Sequence, residues 1–224
     1  MNYLKQITCK IFFAVFLLMG SAATAQPFAD EIAAFRKADS IQVPFAGQHP
    51  IVFAGSSSFR MWKNLAADFP GLPVINRGFG GSTLPDMIRY ADDLILKYLP
   101  KQVVIYCGEN DIAATPASSP EKVLKDFKTL YGMIRQQLPY ASIVYVSIKP
   151  SPSRAKLQAD MIAANNGIKK FLKKKKRTVF VDVYQPMLNS DGTMRNDLYI
   201  GDNLHMNAKG YAIWQALIAP HLLK

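Results

Sequence analysis

Short β-rich runs alternate with amphipathic helical patterns along most of this chain, and this alternation limits the possible folds more than any other feature. The runs cover residues 51–54, 73–76, 102–106, 142–148 and 178–183. Strands joined through helices run parallel, and helices then cover both faces of the sheet. We therefore predict an α/β fold built on a five-stranded parallel sheet.

The helical patterns have recognisable starting signals. One apolar stripe covers residues 84–98 and predicts a single helix. A second helix is predicted to start at Pro120, with Ser119 as its N-cap, and Asn207 is predicted to cap the final helix. A leading helix is expected before the first strand, within residues 26–48.

The N-terminal 25 residues are typical of a secretory signal peptide. A positively charged start precedes an apolar stretch over residues 11–19, and Ala-Thr-Ala stands directly before Gln26. Cleavage would leave residues 26–224 as one domain with a sizeable core, exported to the periplasm or the extracellular space. The alternative is an uncleaved N-terminal anchor, although the stretch is short for a membrane span. Only Cys107 would remain, so no intramolecular disulfide is expected.

The chain is basic, with a formal net charge of +11, and much of the excess lies in residues 169–177. This basic segment could attract anionic glycans, lipid headgroups or nucleic acid. A solvated helix end is the favoured interpretation, because cations in a last helical turn complement the helix dipole. No aromatic residues are interleaved for base stacking, so a nucleic-acid partner is not expected.

The polar residues that could form a site follow the predicted strands. Gly55 ends the first strand, and the hydroxyls of Ser56, Ser57 and Ser58 come directly after it. Ligands of open parallel sheets bind at the carboxyl ends of strands, so a nucleophilic serine is expected here. Strand periodicity does not choose among the three hydroxyls.

A serine hydroxyl needs a base, and the base is usually an imidazole that a carboxylate orients. His205 has Asp202 three residues before it, a spacing that lets the carboxylate reach the ring. His49 and His221 have no comparable carboxylate at this spacing, so structural roles are expected for them.

Two further segments could supply donors to the oxyanion of an ester reaction. Gly78-Phe79-Gly80-Gly81 can bring backbone N–H groups close to a ligand, and Asn110 offers a side-chain amide after the third strand. Taken alone, each segment could equally be a tight turn.

Other chemistries have little support in this sequence. Phe59 stands where G-x-S-x-G requires its last glycine, which argues against an α/β-hydrolase nucleophile elbow. No dinucleotide or Walker motif follows a strand, and no zinc-binding set is recognisable. A serine hydrolase that needs neither a metal nor another cofactor is the simplest prediction.

These segments resemble the four blocks of the SGNH hydrolases, the GDSL-like esterase/lipase superfamily, which are flavodoxin-like α/β/α sandwiches. The blocks occur here in order as Gly55-Ser56-Ser57-Ser58, Asn76-Arg77-Gly78-Phe79-Gly80-Gly81, Gly108-Glu109-Asn110-Asp111 and Asp202-Asn203-Leu204-His205. The resemblance implies Ser57 as nucleophile, His205 as base and Asp202 as its orienter. It implies an oxyanion hole of Ser57 N–H, Gly81 N–H and the Asn110 amide, with Ser56 and Gly80 as adjacent alternatives.

The resemblance implies an esterase activity. Because the chain is predicted to be exported and its strand-edge site has no obvious lipase lid, we expect it to remove short acyl groups, in particular acetyl, from carbohydrate. The loop at 149–154 would border the pocket, where Arg154 either contacts an anionic substrate group or lies on a surface loop. Alternative activities are those of a lysophospholipase, a thioesterase or a platelet-activating-factor acetylhydrolase. A non-catalytic module that binds anionic glycans is the alternative from a different class.

Overall fold

The structure is a computed structural model, and it describes residues 28–224 around a five-stranded parallel sheet. The strand order is β2-β1-β3-β4-β5, and every pairing is parallel. The strands are β1 Ile51–Gly55, β2 Val74–Gly78, β3 Gln102–Tyr106, β4 Ser142–Val146 and β5 Thr178–Val181. This flavodoxin-like order confirms the predicted fold. The predicted signal peptide, residues 1–25, lies outside the described residues.

Helices cover both faces of the sheet and bury a separate apolar core on each side. The α-helices are α1 Ala29–Ile41, α2 Ser57–Arg60, α3 Leu65–Asp68, α4 Leu84–Arg89, α5 Ala91–Leu94, α6 Glu109–Ala113, α7 Pro120–Gln137, α8 Gln158–Leu172 and α9 Ala208–Ile218. One core packs the sheet against α4, α5, α7 and α8, and the other packs it against α2, α3 and α9. The helices therefore form the two outer layers.

Two predicted helix starts are confirmed by their hydrogen bonds. The Ser119 side chain accepts from the backbone N–H of Lys122 at the start of α7. The Asn207 side chain accepts from two backbone N–H groups at the start of α9. Each cap satisfies donors that have no acceptor inside the first helical turn.

The single helix predicted over residues 84–98 is wrong. The chain leaves helical geometry at Tyr90 (φ −106°, ψ 21°) and again at Ile95 (φ −134°, ψ −60°). The segment therefore divides into α4, α5 and a 3₁₀ turn at Leu96–Tyr98. Its apolar stripe remains buried, because periodicity reports which side chains face the core and does not require an unbroken helix.

The carboxyl ends of β1 and β3 lie side by side at the point where the strand order reverses. Gly55 makes this approach possible, because a Cβ atom there would lie 1.9 Å from the carbonyl oxygen of Tyr106. The Ser56 N–H donates to the same carbonyl over 3.0 Å. The residues after both strands therefore start from one rigid edge, the usual ligand position in this fold class.

The basic segment at 169–177 lies at the end of α8 and in the turn that leads into β5, and its lysine and arginine side chains are exposed. It therefore lies at the amino end of the sheet, opposite the strand ends that carry the serines. Within residues 28–224, no helix is long and apolar enough to cross a bilayer.

Candidate active site

Ser57 is the first residue of α2, directly after β1. Its side chain is half-buried, whereas Ser56 and Ser58 are buried at 2% and 1% exposure. Backbone N–H groups in the first turn of a helix have no intrahelical acceptor, so the Ser57 N–H is available to a ligand. Of the three hydroxyls, Ser57 alone is hydrogen-bonded to an imidazole: its Oγ lies 2.9 Å from Nε2 of His205.

Asp202 holds the other side of the same imidazole. Its Oδ2 lies 2.5 Å from Nδ1 of His205, and its Oδ1 accepts the backbone N–H groups of Leu204 and His205 over 2.9 Å each. Burial disfavours the charged carboxylate, but these hydrogen bonds outweigh it and lower the pKa of Asp202 to about 2. An ionised Asp202 keeps the proton on Nδ1, so Nε2 can accept the proton of Ser57.

The loop that carries this pair is fastened to the loop after β4. The Ser153 N–H donates to the carbonyl of Asn203 over 3.0 Å, and the Tyr199 hydroxyl donates to the carbonyl of Pro150. These two hydrogen bonds hold the loop that carries His205 against the loop that follows β4.

The two candidate backbone N–H donors in the glycine loop after β2 differ in whether they already have an acceptor. The Gly80 N–H donates to Oε2 of Glu31 over 3.1 Å, so this donor is already occupied. Gly81 is exposed and has a positive φ of 75°, which favours glycine. Its N–H meets no acceptor within the described part of the chain. Among the described residues, the Gly81 N–H is therefore left without an acceptor whereas the Gly80 N–H is not, and the role of Gly81 as an oxyanion donor stays a prediction.

The Asn110 side chain is held from two directions on α6. Its Nδ2 donates to the carbonyl of Ser82 over 3.0 Å, and its Oδ1 accepts from Nη2 of Arg154 over 2.9 Å. An amide nitrogen carries two hydrogens, so one N–H of Asn110 remains for a ligand. The structure places Arg154 beside Asn110 and Glu109, and its guanidinium is engaged by these side chains. Its expected contact with an anionic substrate group stays a prediction.

Asp111, the last residue of the G-x-N-D block, connects α6 to the glycine loop. Its two carboxylate oxygens lie 3.0 and 3.2 Å from the backbone nitrogen of Leu84, the first residue of α4. The side chain is buried, and burial raises the pKa of Asp111 to about 6 in spite of this hydrogen bond. Asp111 thus fixes the loop that carries Gly81.

Replacing Asp111 by Asn should change how stability depends on pH. A carboxyl whose pKa is raised on folding stabilises the protein fully below the unfolded value of 3.8. This stabilisation is lost as the pH rises through about 6. The shift corresponds to about 3 kcal/mol at most. Asp111→Asn keeps an acceptor for Leu84 but cannot ionise, so its stability relative to the wild type should rise between pH 4 and pH 8. Urea unfolding at both values measures this, and an equal difference at the two would contradict it.

Beneath Asn110 lies a buried ion cluster that sequence reasoning missed. Glu109 accepts from the Tyr106 hydroxyl (2.5 Å), from Nζ of Lys149 (2.8 Å) and from Oγ of Ser151 (2.5 Å), and Nη1 of Arg154 lies 3.3 Å away. Burial opposes ionisation of Glu109, but the charges of Lys149 and Arg154 keep its pKa below the usual range. The available signal was the charged residue inside Gly-Glu-Asn-Asp, directly after a fully buried strand.

Within the described residues, no group of three or more His, Cys, Asp or Glu side chains is placed to hold a metal ion.

The sequence profile of the GDSL-like Lipase/Acylhydrolase family matches residues 39–213, a span that contains all four blocks. The chain therefore belongs to this family and is an ester-hydrolysing enzyme. Membership of this acylhydrolase family argues against the alternative of a non-catalytic module that binds anionic glycans. No curated protein matches the chain significantly.

Solved structures with low sequence identity share this fold. A protein from Streptococcus pneumoniae has a TM-score of 0.74 at 19% identity, covering 87% of this chain and 92% of its own. A GDSL-like lipase from Bacteroides thetaiotaomicron has a TM-score of 0.72 at 21% identity, covering 84% and 95%. A mutant acetyl-xylooligosaccharide esterase from Geobacillus stearothermophilus has a TM-score of 0.65 at 15% identity, covering 80% and 95%.

Proposed function

We propose that this protein is an exported serine esterase that removes short acyl groups, in particular acetyl, from carbohydrate. The observation that carries the proposal is the hydrogen-bonded series from Ser57 to His205 to Asp202, with distances of 2.9 and 2.5 Å. This is the arrangement that activates a serine hydroxyl. The signal-peptide pattern at the N-terminus supports export.

The reaction follows from the positions of these groups. Ser57 Oγ attacks the ester carbonyl while its proton passes to Nε2 of His205, and the carbonyl oxygen becomes an oxyanion. The Ser57 N–H, the Gly81 N–H and the free Asn110 N–H then donate to this oxyanion. As the intermediate collapses, His205 returns the proton to the leaving alcohol. Water, deprotonated by the same imidazole, attacks the acyl-enzyme and releases the carboxylic acid.

A groove beside the elements that carry Ser57 and His205 favours a polar alcohol over a long acyl chain. This groove of about 270 Å³ includes Met206, directly after His205, and Met61, four residues after Ser57. Its lining combines these side chains and Trp62 with polar ones such as Asn64, Asn207 and Gln215, and it does not include Ser57 or His205. Hydroxyl-rich sugars match such a wall, whereas a long acyl chain needs an apolar tunnel. The acetyl-xylooligosaccharide esterase among the structural neighbours supports the same substrate class.

A chain-length series tests this substrate assignment. The protein should hydrolyse p-nitrophenyl acetate and butyrate fastest and release acetate from acetylated xylo-oligosaccharides, measured as kcat/KM. The matched comparison is p-nitrophenyl octanoate and decanoate under the same conditions. A rate optimum at eight carbons or more would contradict the short-acyl assignment.

The second candidate is an enzyme similar to platelet-activating-factor acetylhydrolase. The observation in its favour is the Streptococcus pneumoniae neighbour, which is named for platelet activating factor. Both candidates release acetate, so the alcohol distinguishes them. An acetylated lysophospholipid that is cleaved faster than acetylated sugars would favour the second candidate.

A further inference from the structure

Arg154 lies in the 3₁₀ turn Pro152–Leu157 after β4, and its side chain is 18% exposed. Its guanidinium spans two residues of α6: Nη2 donates to Oδ1 of Asn110 (2.9 Å), and Nη1 lies 3.3 Å from Oε1 of Glu109. Both Nη groups of Arg154 are thus directed at side chains of the protein rather than at open solvent.

This contact decides which way the Asn110 amide points. Arg154 can only donate and the Ser82 carbonyl can only accept, so a single orientation of the amide satisfies both. In that orientation Oδ1 faces Arg154, and the second N–H is left for the oxyanion. A flipped amide would set a carbonyl oxygen against the carbonyl of Ser82 and present no donor in the required position.

The same contact makes Asn110 a stronger donor. A cation that donates to Oδ1 draws electron density from the amide, which increases the polarity of the Nδ2–H bonds. Hydrogen bonds that involve an ionised partner are roughly twice as strong as neutral ones. The benefit grows as negative charge develops on the oxyanion, so it is larger in the transition state than in the bound substrate.

Glu109 explains why Arg154 stays in this position. Its carboxylate is 3% exposed and is held from the other side by Lys149, itself fully buried, and by Ser151. A buried carboxylate with several donors forms a rigid anchor, whereas a surface arginine would sample many rotamers. Two cations contact one anion, so the cluster has a net positive charge next to the Asn110 amide.

From this geometry we infer that Arg154, anchored by Glu109, is a positioning residue that orients and polarises the Asn110 amide in the oxyanion hole. This inference rests on the proposed function, in which Asn110 is an oxyanion donor. It differs from the expectation that Arg154 contacts an anionic group of the substrate, and the experiments below distinguish the two roles.

A double-mutant cycle tests the inference with p-nitrophenyl acetate. Asn110→Ala should lower kcat by about 100-fold to 1000-fold, as removal of one oxyanion donor does. Arg154→Ala should lower kcat by at least about tenfold with little change in KM. In the Asn110→Ala background, Arg154→Ala should cost less than about threefold, because its effect passes through the missing amide.

Two further measurements separate positioning from a general structural role. Added guanidinium ion, far below denaturing concentrations, should raise kcat of Arg154→Ala but not of the double variant. Lys156→Gln is the matched control. It removes one positive charge from a residue that lines the same cavity as Arg154. It should keep the wild-type kcat. If Arg154→Ala does not fold, Arg154→Gln and Arg154→Lys take its place in the cycle. Arg154→Lys should then retain more activity than Arg154→Gln.

Other outcomes would overturn the inference. A rise in KM confined to esters with an anionic acyl group would make Arg154 a substrate contact. Equal losses of kcat in the wild-type and Asn110→Ala backgrounds would make its effect independent of the amide. Full activity of Asn110→Ala would remove the oxyanion role itself, and the proposed function with it. If Asn110→Ala lowers kcat as expected but Arg154→Ala does not, only the positioning role of Arg154 is contradicted.

Discussion

Replacing Ser57 by Ala should lower kcat for p-nitrophenyl acetate by about 10⁴-fold to 10⁶-fold, because the acyl-enzyme can no longer form. Residual hydrolysis above the rate in water should remain, since the oxyanion donors and the binding surface are intact. The fold should be unaffected, because Ser57 is half-buried and its hydroxyl bonds only to His205 among the described residues. Steady-state kinetics with a circular dichroism spectrum of each variant measure both expectations.

The neighbouring serine provides the control for this variant. Ser56→Ala removes a buried hydroxyl one residue away, without touching the contact with His205. It should therefore keep most of the activity. A fluorophosphonate that modifies serine nucleophiles should label the wild type and Ser56→Ala, and should not label Ser57→Ala. Full activity of Ser57→Ala would falsify the proposed mechanism, and loss of labelling in Ser56→Ala alone would move the nucleophile by one residue.

Replacing Gly55 by Ala should strongly destabilise the fold. The new Cβ would lie 1.9 Å from the carbonyl oxygen of Tyr106 and 2.8 Å from its carbon. Both atoms belong to the backbone of β3, so no side-chain rotation relieves the clash, and the two strands must separate. The positive φ of 155° adds backbone strain. Overpacking and strain together predict a loss of about 4 kcal/mol in the free energy of unfolding.

Gly132→Ala is the matched control for that variant. Gly132 lies in α7, is exposed, and a Cβ there would meet nothing within 4 Å. Alanine favours a helix interior over glycine, so this variant should gain up to about 1 kcal/mol. Urea unfolding of both variants gives the two free energies. A Gly55→Ala protein as stable as the wild type would show that β1 and β3 are not held this closely at the strand ends.

The sequence was sufficient for the fold because each structural signal was local. Strand runs, the caps at Ser119 and Asn207, and the alternation of elements all reflect residues a few positions apart, and the parallel sheet follows from them. The breaks at Tyr90 and Ile95 were not predicted, because an apolar stripe stays in register across short irregular turns.

The site was predictable only where motif spacing carries the information. Four blocks select Ser57, Asn110, Asp202 and His205. The structure links Ser57, His205 and Asp202 by hydrogen bonds and places Asn110 on α6, after the neighbouring strand β3. Their catalytic roles remain predictions. The choice of Gly81 over Gly80 depends on Glu31, 49 residues earlier in the chain. The engagement of Arg154 depends on Asn110, 44 residues earlier. Contacts over such separations leave no local pattern, so the sequence could not distinguish a substrate contact from an internal one.

The carboxylate and the imidazole share one short loop, and this has an evolutionary consequence. Asp202 and His205 are three residues apart, and the carboxylate also accepts the backbone N–H groups of its own turn. The pair is thus a small unit that carries its own geometry. Insertions elsewhere among the strand-end loops could reshape the entrance for new substrates without separating the base from its partner. The substrate range can therefore change in one set of loops while another loop keeps the groups that transfer the proton.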